Sequence, residues 1–419
     1  MAKLIIQGGK SLEGEIEVSG AKNAALKMMA AAILTDETIQ LNRVPDIKDI
    51  RTMKAIIENL GASVNFTDHS MTINCSKVKK PEPDYQLVKH MRGSVVVIGP
   101  LLARFNQTKI PQPGGCLIGS RPIDTHINAL KQLGVKFEQD QDYYYFKTDG
   151  LKGSRVILDE MSVTATENIL MSAVLAKGIT EIHLAASEPE IEDLATLLNK
   201  MGAKIKGAGT PVILVDGVKK LHGAEHEVIP DRIEAGTLAI AAAVSRGNVR
   251  IINVVPNHLD IFLQKLKKAN VNFIVENNNI LHVKPTTIFN PINIDTRPYP
   301  GYPTDLQAPL SVLLTQANGT SRIFETMYEG RLGYVKELER MGAEIKMLDA
   351  HTVIINGPTP LYGKEITSFD IRAGATLIIA SIIAQGESII DKVELVDRGY
   401  EKLEERLKKL GARIKRIEE

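Results

Sequence analysis

Apolar and polar positions alternate along this chain in a pattern that recurs. A stretch apolar around most of a helical turn comes first, as in 24–34, 94–104, 167–176, 233–245, 306–317 and 373–384. Such all-round apolar helices are buried on several sides. A short β-branched strand follows, for example Arg250-Ile251-Ile252, then a loop and an amphipathic helix such as Glu192–Met201. That second helix ends in a fixed phrase and two short strands close the unit. The phrase reads Leu60-Gly61-Ala62, Leu133-Gly134-Val135, Met201-Gly202-Ala203, Ala269-Asn270-Val271, Met341-Gly342-Ala343 and Leu410-Gly411-Ala412. Glycine, or asparagine in the fourth copy, ends a helix in the left-handed conformation.

Successive copies lie 73, 68, 68, 72 and 69 residues apart. Self-similarity at a fixed period marks repeated structural units. The period is long for a solenoid, so each unit is expected to be a small α/β subdomain. Few residues follow Gly411, and the missing piece has a counterpart at the start of the chain. Ile6-Gln7-Gly8-Gly9-Lys10-Ser11-Leu12 echoes Ile355-Asn356-Gly357-Pro358-Thr359-Pro360-Leu361. The first strands are therefore expected to complete the sixth unit. The reading is two α/β domains of three units each, one over 22–229 and one over 1–21 plus 230–419, with a ligand cleft between them.

Composition narrows the partners. Lys+Arg is 51 against Asp+Glu 50, which offers no basic face for nucleic acid. Two cysteines are too few for a disulfide scaffold. No apolar run reaches the length of a membrane span, and no signal-peptide core follows Met1-Ala2-Lys3. The expectation is a soluble, cytoplasmic protein that binds neither nucleic acid nor membrane; nothing in the sequence names a protein partner. Nine histidines without ligand spacing predict no metal. Gly9-Lys10-Ser11 is no P-loop, because Leu4 stands where the leading glycine is required. Cys75, within a strand, reads as packing.

Candidate chemistry gathers elsewhere. Cys116 sits in Pro111-Gln112-Pro113-Gly114-Gly115-Cys116, followed by Gly119-Ser120-Arg121-Pro122-Ile123-Asp124. Glycine and proline on both sides describe a loop, either a plain surface loop or one that presents a thiol to a ligand. Lys22, Arg92, Arg232 and Arg372 fall at or before the N-termini of buried helices, where a cation opposes the helix dipole unless an anion offsets it. Arg232 and Arg372 have Asp231 and Asp370 nearby as alternative partners; Lys22 and Arg92 have no adjacent acid. Arg121, Arg331 and Arg398 stand in loops at matching points of three units. Asp305 reads as an N-cap or as a general base. Ser162-Val163 reads as a cap or as donors to a phosphate.

As a set, Ser19-Gly20-Ala21-Lys22-Asn23-Ala24-Ala25, the Cys116 loop, Arg121-Pro122-Ile123-Asp124, Asp231-Arg232-Ile233-Glu234-Ala235-Gly236-Thr237, Pro303-Thr304-Asp305-Leu306-Gln307 and Asp397-Arg398-Gly399-Tyr400 closely resemble the UDP-N-acetylglucosamine enolpyruvyl transferases over essentially the full length. The resemblance implies two inside-out α/β domains, an enolpyruvyl transferase fold with sixfold internal repeat. It implies transfer of the enolpyruvyl group of phosphoenolpyruvate to the 3-hydroxyl of UDP-N-acetylglucosamine, the first committed step of peptidoglycan synthesis. It implies no metal or organic cofactor. By the same resemblance Cys116 is the proton donor and the target of fosfomycin, and Asp305 the base. Lys22, Asn23, Arg121, Arg331, Arg372 and Arg398 then surround phosphoenolpyruvate. Arg92, Arg121, Pro122, Ile123, Asp124, Thr125, Ser162, Val163, Asp305 and Met327 match positions that hold the nucleotide sugar. Two positions depart from the family: Thr164 stands where glycine is usual, and Glu329-Gly330-Arg331-Leu332 replaces Glu-Asn-Arg-Phe, which is expected to loosen Arg331. The sister family acting on shikimate 3-phosphate is the alternative; it lacks the cysteine loop.

Overall fold

The computed structural model describes residues 2–112 and 122–418. Cys116 and Arg121 therefore lie outside the described residues. The chain divides into two compact units, split near 19/20 and 229/230.

The repeat is plain in the sheets. Five of the described sheets have four strands in one order. An edge strand runs parallel to the strand that follows the buried helix, and a hairpin adds two antiparallel strands. In the sheet of the third repeat, Arg155–Ile157 pairs parallel with Ile179–His183, which pairs antiparallel with Val212–Asp216, and Lys204–Lys206 closes the edge. Among the described residues the sheet of the second repeat has three strands: Gln107–Pro111, Tyr143–Lys147 and Lys136–Gln139. Where its parallel edge strand belongs the chain reads Lys80-Pro81-Glu82-Pro83, and proline cannot donate to a ladder. The carbonyl of Pro81 keeps a remnant of the pairing, accepting from the Lys109 amide at 3.3 Å and the Thr108 hydroxyl at 2.7 Å.

In the sixth sheet, Ala2–Gln7 lies between Glu387–Asp391 and Arg413–Glu418, antiparallel to both. It takes the place that Thr352–Gly357 holds in the fifth. All six residues of the helix-ending phrase have positive φ, including Asn270 at 64°.

Each unit has its own core built on three buried helices. In the unit containing 230–418 they are Arg232–Val244, Thr304–Thr315 and Ile371–Ile383, which pack on one another. In the other unit they are Lys22–Ala31, Ile98–Phe105 and Val163–Ala173. The stretch expected as one helix over 94–104 begins as a 3₁₀ turn, Arg92–Val97, and becomes α-helical from Ile98. Pro100 lacks the amide that would bond back to Val96 and crowds that carbonyl. Gly99 is required there, because a Cβ would lie 2.3 Å from the Asn168 carbonyl oxygen. Among the described residues no helix is long and apolar enough to cross a membrane, and no group of three or more His, Cys, Asp or Glu is placed to hold a metal.

Candidate functional site

The helix starts of the 230–418 unit carry the densest charge. Asp305 is the second residue of Thr304–Thr315, and its side chain caps nothing: the N-cap position is Pro303, which has no cap to offer. The Asp305 carboxylate binds two guanidiniums instead. Arg372 donates from Nε at 3.0 Å and from a terminal nitrogen at 2.8 Å to one oxygen; Arg331 donates to the other. Pro309 lies four residues on and cannot supply the amide that would bond the Asp305 carbonyl. Both arginines are buried, at 6% and 5% exposure, while the Asp305 side chain is 26% exposed. Burial works to lower the pKa of each guanidinium, and the surrounding acidic groups, Asp305 foremost, together outweigh it, so both are held above their ordinary value.

One alternative is ruled out here and one expectation corrected. Arg372 does not pair through its guanidinium with Asp370. Asp370 caps the helix, accepting from the Arg372 and Ala373 amides at 2.7 and 3.0 Å. Nor is Arg331 loosened by Gly330. Leu332 is buried beside it, and Asp305 fixes its end. Arg372 also lies 5.2 Å above the ring of Tyr400, whose hydroxyl meets that of Thr237 at 2.9 Å. Asp231 likewise caps its helix through the Ile233 and Glu234 amides, and Arg232 lies over the ring of Tyr299.

A residue the sequence reading missed organises this end. Glu325 is fully buried and accepts from the hydroxyls of Thr304 and Thr296 at 2.7 and 2.9 Å and from the Met327 amide at 2.8 Å. It thereby ties Met327 to the residue before Asp305. An acid directly after the strand Gly319–Phe324 was the available signal. Arg398 ends the 3₁₀ turn Val393–Arg398 and is half-buried. Its neighbour Asp397 is gripped by Arg416 at 2.6 and 3.0 Å.

In the 20–229 unit, Lys22 opens its helix, followed by the half-buried Asn23. Lys22 does have an acid, supplied by the next helix: Asp49 lies 2.8 Å from its ammonium, and both are buried. Asp49 occupies the apolar stripe of Lys48–Asn59 together with Met53 and Ile56, a misfit at helical spacing that could have revealed it. Arg92 donates to the Pro122 carbonyl at 3.2 Å. Ile123 is buried, and Asp124 and Thr125 open the helix Asp124–Gln132, Thr125 buried and Asp124 exposed. Ser162 is a true N-cap, its hydroxyl accepting from the Ala165 amide at 3.4 Å, and Val163 begins the helix behind it. These segments are joined by side chains: His126 Nε2 lies 3.0 Å from the Thr164 hydroxyl. Deeper in the same unit, Lys27 lies 3.5 Å from Glu167, whose two oxygens are buried without hydrogen bonds. Burial pushes Glu167 up to about 8 against the opposing pull of Lys27.

Comparison with known proteins adds the chemistry. The sequence profile of the family described as EPSP synthase (3-phosphoshikimate 1-carboxyvinyltransferase) matches residues 6–407. A UDP-N-acetylglucosamine 1-carboxyvinyltransferase of Koribacter versatilis is 45% identical over 423 aligned positions, covering 100% of this chain and 97% of the relative. UDP-N-acetylglucosamine 1-carboxyvinyltransferase 2 of Carboxydothermus hydrogenoformans is 46% identical, with all of both chains covered. Among solved structures, the enolpyruvyl transferase NikO from Streptomyces tendae superposes with a TM-score of 0.90 over 99% of each chain at 24% identity, a likeness of fold.

Proposed function

The chain belongs to the EPSP synthase (3-phosphoshikimate 1-carboxyvinyltransferase) family, and within it we propose that this protein is a UDP-N-acetylglucosamine 1-carboxyvinyltransferase. It transfers the enolpyruvyl group of phosphoenolpyruvate to the 3-hydroxyl of UDP-N-acetylglucosamine and releases phosphate, acting in the cytoplasm at the first committed step of peptidoglycan synthesis. The observation that carries the reading is full-length identity of 43–46% to relatives bearing that name.

The chemistry is addition followed by elimination, and each residue has a part. Cys116 donates a proton to the methylene carbon, leaving C2 as an oxocarbenium-like electrophile. The sugar hydroxyl attacks C2 and passes its proton to Asp305. A proton then leaves the new methyl group as phosphate departs from C2, and this restores the double bond. A carboxylate and a phosphate on one small substrate call for clustered cations, supplied by Lys22, Arg121, Arg331, Arg372 and Arg398, with Asn23 as a neutral donor. Arg92, the 121–125 segment, Ser162, Val163 and Met327 receive the nucleotide sugar.

The ion cluster suits this scheme. Without substrate, the Asp305 carboxylate is shared between Arg331 and Arg372 and offsets only part of their charge. The anionic groups of phosphoenolpyruvate compete for those guanidiniums, and whatever they take frees Asp305 to accept a proton.

The test is phosphate release from phosphoenolpyruvate with UDP-N-acetylglucosamine or shikimate 3-phosphate as acceptor, for the native protein and Cys116→Ser. Release with the nucleotide sugar only, slowed about a hundredfold or more in the variant, is expected for loss of a general acid. Release with shikimate 3-phosphate only would overturn the acceptor assignment.

A further inference from the structure

A run of hydrogen bonds beside the helix start at Ser162 has a direction that its own chemistry fixes. Asn168, fully buried on Val163–Ala173, sits between two backbone groups of known polarity. The Gly99 amide donates to one side-chain atom at 2.7 Å, which must be the oxygen. The other atom faces the Val95 carbonyl at 2.9 Å and must be the nitrogen. That nitrogen also lies 2.9 Å from His126 Nδ1. An NH2 group has only hydrogens to offer, so Nδ1 is the acceptor and the neutral ring carries its proton on Nε2. Nε2 therefore donates to the Thr164 hydroxyl oxygen, 3.0 Å away. Thr164 has then accepted, and the proton on its own hydroxyl remains to be donated.

We infer that His126 is a positioning residue that fixes Thr164 as a hydrogen-bond donor to the diphosphate of the nucleotide sugar. This rests on the function proposed above, which places that substrate at Ser162 and Val163. Thr164 is the next residue, half-buried in the first turn of Val163–Ala173, while His126 is 97% shielded behind it with 3% exposure. The amides of Val163 and Thr164 have no acceptor within the helix, since its first turn can bond only backwards. The hydroxyl would add a third donor on the same side, and a diphosphate supplies acceptor oxygens enough for all three. The packing behind His126 leaves the polarity no slack, because Asn168 is pinned by two backbone groups and Gly99 touches its backbone.

Two measurements decide it. In protein labelled with ¹⁵N-histidine, the His126 signal, identified by its loss in His126→Gln, is expected to show an unprotonated Nδ1 and a protonated Nε2. A proton on Nδ1 would overturn the wiring. Calorimetric titration with UDP-N-acetylglucosamine is expected to give about tenfold weaker binding for Thr164→Val, the loss of one hydrogen bond to a charged group. Thr164→Ser, which keeps the hydroxyl, recovers most of that loss. In turnover the defect of Thr164→Val falls on KM for the nucleotide sugar rather than on kcat. Equal binding by Thr164→Val and the native protein would overturn the inference and leave the proposed function standing. Failure of the native protein to bind the nucleotide sugar would overturn the proposed function instead, and with it the role given to Thr164.

Discussion

Two carboxylates beside cations, one in each unit, make a useful contrast. Asp305 stands at the start of a helix, about a quarter exposed, with both oxygens hydrogen-bonded to guanidiniums. Glu167 lies within Val163–Ala173, fully buried, with one ammonium 3.5 Å away and no hydrogen bond to either oxygen. The first is satisfied and reachable, so its charge can be traded for that of a substrate. The second is sealed, and its charge can only be suppressed by taking up a proton. Burial of an acid is thus no sign of chemistry by itself. Access and the number of partners that can be exchanged separate the working carboxylate from the structural one.

The largest effect that tests this contrast is on rate. Asp305→Asn is expected to lower kcat about a thousandfold, the range for loss of a positioned base, while its amide oxygen still accepts from the buried guanidiniums and limits the loss of stability. A collapse in stability with little change in the rate of the folded fraction would break the comparison. Next comes Lys27→Met, which at pH 9, above the raised value of Glu167, strands an ionised Glu167 in the core and is expected to destabilise by about 3–5 kcal/mol in denaturant titrations. The double variant Lys27→Met with Glu167→Leu should regain most of that, since an apolar pair of similar volume needs no solvation.

A pH series sharpens the point. The folded-state value of Glu167 is raised from 4.5 to about 8, so between those limits the native state binds more protons than the unfolded one. Its contribution to stability is complete below pH 4.5 and is lost as pH rises toward 8. The stability difference between the native protein and Glu167→Gln should move in that window, the native protein losing ground, and flatten outside it. The smallest expected change is Ser162→Ala, about 1 kcal/mol for a lost N-cap. A far larger loss of stability would give the hydroxyl more structural weight than its 3.4 Å bond indicates.

The sequence disclosed the repeat because its punctuation is local. Gly61, Gly134, Gly202, Gly342 and Gly411 all adopt the positive φ that their place after a helix demands, and the buried helices declare themselves by composition. What failed to show was pairing across elements. Asp49 reaches Lys22 from the following helix, and Asp305 reaches Arg372 across 67 residues, so adjacency in sequence found neither acid. Asp231 and Asp370 stood beside arginines and proved to be caps. The shortened second sheet was legible in Pro81 and Pro83, had their cost to a ladder been weighed.

The position of Ala2–Gln7 between strands 387–391 and 413–418 bears on how the polypeptide emerges from the ribosome. Residues 20–229 can complete their sheets among themselves, but this first strand must wait, unpaired, for some four hundred residues of synthesis. Contacts of such long range form slowly and leave strand edges open to wrong partners meanwhile. A bulky fusion ahead of Ala2 would also sit beside Glu418, its cross-strand partner.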